Sequence, residues 1–100
     1  MNLAIDKELR AKLDAIYLYF GGRENKLEKL YEECGEFRDR YFLNNKSSVL
    51  TPQLVTEICD IGSCFLQLYF NEELIREGLD YVIIKAGKKI EEGVYVQQKE

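Results

Sequence analysis

The chain has 100 residues, 46% of them apolar and 32% charged, which describes a single globular domain spanning 1–100 with one modest core and excludes a disordered or linker-like protein. A formal net charge of −4, with no stripe of basic residues, argues against a nucleic-acid partner. The longest uncharged apolar stretch, Ile61 to Phe70, falls well short of the ~20 residues that a membrane-spanning helix requires, and one proline with seven glycines favours long helices over many short strands.

Taken in chain order, a first helix is predicted from Asp6 to Phe20, where Leu9, Leu13, Ile16, Tyr17 and Phe20 recur at helical spacing. Gly21 and Gly22 end it. A second runs from Glu24 to Phe42, with Leu27, Leu30, Tyr31, Cys34, Phe37 and Tyr41 three and four apart. The polar stretch from Leu43 to Leu50 reads as a connection, and Thr51 followed by Pro52 reads as an N-cap and first helical position. The third helix then extends to Phe70, with apolar residues over most of its circumference, so it is expected to be largely buried.

Beyond Asn71 the pattern weakens. Gly78 is expected to separate a short helix from a longer one over Leu79 to Glu92, in which Leu79, Val82, Ile83 and Ile84 pack inward, and the β-prone run Tyr81 to Ile84 leaves a strand open. The terminal residues 97–100 are expected to fray. The simplest architecture is an all-α four-helix bundle. So small a bundle is expected to complete its apolar burial by self-association, as a homodimer or a tetramer.

The N-terminus lacks the apolar core and small-residue site of a secretory signal, which predicts a cytoplasmic location. Cys34, Cys59 and Cys64 form no CxxC and read as reduced thiols in the core. The chain contains no histidine, which removes Ser-His-Asp and Cys-His catalysis and the usual histidine-containing metal sets. Any metal chemistry rests on oxygen ligands, which suits Mg²⁺ or Mn²⁺.

Carboxylates supply such ligands. At ~100° per residue, Glu33 and Glu36 share one edge of the second helix and Glu57 and Asp60 share one edge of the third, so antiparallel packing brings the two pairs face to face. Glu32 is turned roughly 100° from Glu33 and is less able to share the same ion. A solvated acidic face explains Glu32, Glu33 and Glu36 without any ion. It explains Glu57 and Asp60 poorly, because they interrupt an apolar helix, and ion pairs to Lys26, Lys29 or Arg40 are the structural alternative.

The string from Glu24 to Phe37, which contains Glu32-Glu33-Cys34-Gly35-Glu36, is followed by Glu57-Ile58-Cys59-Asp60. Together they resemble the EExxE and ExxD signature of MazG-like nucleoside triphosphate pyrophosphohydrolases. Twenty residues separate Glu36 from Glu57, an interval that family permits, and the resemblance covers about residues 16 to 92. It implies a MazG-type all-α fold and Mg²⁺-dependent cleavage of the α–β phosphate bond of a nucleoside triphosphate, yielding a monophosphate and pyrophosphate. By the same resemblance Glu33, Glu36, Glu57 and Asp60 are metal ligands, and Glu32 is a supporting group or orients the attacking water.

A triphosphate also needs cations, and Lys26 and Lys29 beside the acids, or Lys85, Lys88 and Lys89 near the end of the last helix, are the candidates. Tyr17, Phe20, Tyr41 and Phe42 are candidates to stack on a base, although aromatics at such spacings are more often core. The competing reading is a non-catalytic helical interaction protein that retains the fold.

Overall fold

A computed structural model describes residues 3–93. They form four helices and, among the described residues, no strand: α1 (Lys7–Tyr19), α2 (Arg23–Leu43), α3 (Pro52–Asn71) and α4 (Glu73–Glu91). Local chemistry sets the boundaries. Asp6 caps α1, its Oδ1 accepting from the backbone N–H groups of Glu8 at 2.8 Å and Leu9 at 3.2 Å. Gly21 and Gly22 take positive φ values of 94° and 81°, and Gly22 donates back to the Tyr17 carbonyl, reversing the chain directly into α2. Thr51 Oγ1 accepts from Leu54 N–H at 3.2 Å with Pro52 in the first turn, as the sequence predicts.

The last third of the chain departs from expectation. α4 runs unbroken through Gly78 and Gly87, and Tyr81 to Ile84 are helical. A glycine inside a helix costs only about 1 kcal/mol relative to alanine, too little to break a helix with helix-forming neighbours on both sides. The break falls earlier, at Glu72, whose φ of −126° and ψ of 111° separate α3 from α4 with a single residue. Val82, Ile83 and Ile84 do not pack inward but stay exposed, and Leu79 is half-buried.

α3 is the central element and packs against α1, α2 and α4. The core consists of Leu13 and Tyr17 from α1 with Leu54, Cys64, Leu68 and Tyr69 from α3. Only the second half of α3 is well covered, because Val55, Ile58 and Cys59 remain exposed. Cys34 is exposed too, so of the three thiols expected in the core only Cys64 is there. The Cα radius of gyration is 16.2 Å, against the ~13 Å of a compact 100-residue chain. The four helices are thus splayed, with α4 leaning on α3 and much of its apolar surface uncovered.

The end of the molecule where α1 meets α2 and α3 meets α4 is pinned by polar contacts. Tyr17 Oη donates to Glu72 Oε1 at 2.5 Å, and Arg23 Nη1 lies 3.6 Å from Glu72 Oε2. Arg76 Nη1 donates to the Tyr69 carbonyl at 2.8 Å. Burial first, and then the hydrogen bond to Glu72, push the Tyr17 phenol up to about 12.

Candidate functional site

The acidic residues meet at the α2–α3 interface. Glu36 lies three positions after Glu33 along α2, and Glu57 lies three positions before Asp60 along α3. Asp60 adjoins Glu33 while Glu57 faces Glu36, so the helices run antiparallel with the pairs in register. One carboxylate oxygen from each of Glu33, Glu36, Glu57 and Asp60 lies within 4.8 Å of the others. Glu32 is outside this set; it is exposed and reaches Lys29 Nζ at 3.7 Å.

Burial makes this arrangement more than an acidic surface. Glu33 is only 4% exposed; its Oε1 accepts from Lys29 Nζ at 2.9 Å, while its Oε2 is buried without a hydrogen-bond partner among the described residues. Glu57 is half-buried, and its Oε2 is likewise buried and unpartnered. Buried carboxylate oxygens are ordinarily satisfied, so two orphans pointing to one cluster mark a place where a cation fits. The ion-pair explanation for Glu57 and Asp60 finds no support, since Lys29 pairs within α2 and neither acid has a salt bridge among the described residues. The donor set is entirely carboxylate oxygen, which suits a hard divalent ion.

The charges disturb one another's titration. The hydrogen bond from Lys29 holds the Glu33 carboxyl below the usual glutamate range despite its burial. Close contact with the Glu33 carboxylate first, and the repulsion from it second, hold Glu36 above that range. Lys29 itself is held above the usual lysine range, first by its hydrogen bond to Glu33.

Cavities flank the cluster. The larger, about 530 Å³, lies between α1, α2 and α3, and its wall includes Glu32, Glu33 and Asp60 together with Lys26 and Lys29. The smaller, about 360 Å³, is lined by Glu36, Asp39, Arg40, Leu43 and Glu57. Lys26 is 5% exposed and has no ion-pair partner among the described residues, a state that a buried ammonium leaves when an anion arrives. Of the basic residues singled out in the sequence, only Lys26 and Lys29 belong to this wall. No residue of α4 lines either cavity: Lys85 lies with its Nζ 5.9 Å from the Tyr81 ring centroid, Lys88 is exposed and Lys89 is half-buried.

Among the aromatic candidates, Phe20 alone lines a cavity. Tyr17 belongs to the core, Tyr41 stacks on Phe37 with 6.1 Å between centroids, and Phe42 lies under Lys46 Nζ at 4.8 Å. Sequence reasoning passed over Ser63 and Gln67, which also line the larger cavity. A signal was present: Lys26 precedes Glu33 by seven residues and Gln67 follows Asp60 by seven, two helical turns in each case, so each extends an acidic edge along the same face. Comparison with protein families, with curated proteins and with solved structures finds no match for this chain.

Proposed function

We propose that the chain is a Mg²⁺-dependent nucleoside triphosphate pyrophosphohydrolase of the MazG-like type, cleaving the α–β phosphate bond to release a nucleoside monophosphate and pyrophosphate. The observation that carries this reading is the four-carboxylate cluster, with two buried oxygens that have no partner among the described residues, beside a cavity lined by a lysine with no ion pair among them. Glu33, Glu36, Glu57 and Asp60 would hold Mg²⁺, with Mn²⁺ as the substitute. When bound, the ion supplies neutralisation of phosphate charge and a water of lowered pKa.

The chain's own residues do the rest. Lys26 would receive a phosphate oxygen from within the cavity wall, and Lys29, shared between Glu32 and Glu33, would be the second cationic contact. Glu32 lies on the cavity side of the cluster, where it accepts a proton or orients a water. The uncovered apolar residues of α2 and α4, among them Tyr31 at 83% exposure, favour self-association into a homodimer or tetramer. They equally favour the second reading, in which the chain is a helical interaction protein and the acids bind an ion only for structure.

Pyrophosphate release from a panel of nucleoside triphosphates with Mg²⁺ separates the two readings. Turnover that disappears in Glu36→Gln and Asp60→Asn is expected. Folded protein that is inert across the panel refutes the enzyme and leaves the interaction reading.

A further inference from the structure

The larger cavity continues past the acidic cluster to a different kind of wall. Ile16, Phe20 and Cys64 make it apolar there, and Ser63 and Gln67 are its polar groups. Gln67 is 2% exposed. Its Nε2 donates to Ser63 Oγ at 3.1 Å, and its Oε1 is buried with no hydrogen-bond partner among the described residues. An orphaned amide oxygen inside a protein lowers stability unless something donates to it, so its presence on the wall of a cavity is informative.

A ligand held at Lys26, Glu33 and Asp60 by phosphate and cation has its far end among these residues, because all of them line one cavity. The volume falls within the ~300–1,000 Å³ of ligand pockets. That far end must be flat or apolar enough for Ile16, Phe20 and Cys64, and it must carry an N–H donor for Gln67. Both demands are met by a nucleobase whose exocyclic amine stands where uracil, thymine and guanine carry a carbonyl, as in cytosine and adenine.

We infer that Gln67, buttressed by Ser63, is a specificity-determining residue whose Oε1 accepts a hydrogen bond from the exocyclic amine of cytosine or adenine, so that nucleotides of uracil and thymine are disfavoured. The inference rests on the triphosphate reading of the acidic cluster. A base presenting a carbonyl oxygen at that position sets acceptor against acceptor and leaves Gln67 Oε1 unpaired, which is how a polar pocket rejects a near-isostere.

The test uses CMP and UMP, which share sugar and phosphate, differ at the base edge and carry no pyrophosphate to release, titrated calorimetrically into the full chain with Mg²⁺ present. CMP is expected to bind at least about ten-fold more tightly than UMP. Gln67→Met, which keeps the bulk and removes the acceptor, is expected to bring the ratio to within about two-fold. A nucleotide of 2-pyrimidinone, which lacks the amine, makes the same comparison on the unaltered protein and is expected to bind as weakly as UMP. Equal binding of CMP and UMP, binding of neither, or a preference that survives in Gln67→Met with its fold intact overturns the assignment. Pyrophosphate release from CTP and UTP at equal efficiency also overturns it while leaving the hydrolase standing. Selective binding of CMP without any release from CTP upholds the pocket and removes the hydrolase.

Discussion

Replacing Glu57 by glutamine separates a metal centre from a structural ion pair, because the two predict stability changes of opposite sign. The ligand oxygens of the four acids lie within 4.8 Å of one another. At that separation the repulsion between Glu57 and the buried Glu33 is about 3 kcal/mol at an effective dielectric of 20, falling to about 1 kcal/mol if water dominates. Among the described residues only Lys29 forms a salt bridge with one of the four acids, and its contact is to Glu33, not to Glu57. Glu57→Gln keeps the shape and removes one charge, so the metal-free protein is expected to gain about 1–2 kcal/mol. For a domain of this size, that raises the melting temperature by about 4–8 °C per kcal/mol.

Magnesium should stabilise the parent and do little for the variant. At ten times its Kd, an ion that binds only the native state adds RT ln 11, or about 1.4 kcal/mol, to the parent, and most of this disappears in the variant. Thermal unfolding followed by circular dichroism, with EDTA and with millimolar Mg²⁺, reads both effects. A variant that melts lower than the parent in EDTA and responds to Mg²⁺ just as strongly would falsify the idea that these carboxylates are held together for a cation.

Other expectations follow from the same geometry. Glu36, held above the usual glutamate range by Glu33, makes the metal-free protein more stable as pH falls through its raised value, and that contribution is lost as pH rises through it. Mg²⁺ binding must expel that proton, so calorimetry in buffers of different ionisation enthalpy should detect proton release that grows on acidification; affinity independent of pH between 5 and 8 speaks against it. Tyr17→Phe removes the hydrogen bond to Glu72 and should cost about 1–2 kcal/mol in urea unfolding. With the Tyr17 phenol raised to about 12, the parent should lose stability between pH 10 and 12, and a slope that persists in Tyr17→Phe contradicts this origin. Gly22→Ala places a Cβ at φ 81° and ψ −145° and should cost about 1–3 kcal/mol, measured the same way; an unchanged midpoint means that the α1–α2 turn relaxes freely.

The first three helices were legible because their boundaries are written in side chains with specific backbone effects: Asp6, the glycine pair, and Thr51 before Pro52. α4 was misjudged because Gly78 carries no such instruction, whereas Glu72, which does end α3, has no turn-forming signature. The four acids were legible because a three-residue step on each of two helices fixes an edge. Burial was not. The apolar stripe through Leu27, Tyr31 and Cys34 predicts the inner face of α2, yet all three are exposed, while Lys26 and Glu33 lie inside. Periodicity locates a face but not what covers it, and in this chain the polar edge turns toward α3. Gln67 escaped notice for the same reason, since an isolated amide in an apolar helix becomes meaningful only when its neighbours across the gap are known.

Glu72 touches more of the architecture than its position between two helices suggests. Its carboxylate meets Tyr17 of α1 and Arg23 of α2, and its backbone separates α3 from α4. α4 contributes nothing to the buried hydrophobic core, so this knot and Arg76 hold its first turn where no buried apolar seam does. It is therefore expected to open as its own cooperative unit, with backbone amides that trade their protons for deuterium ahead of those in α3.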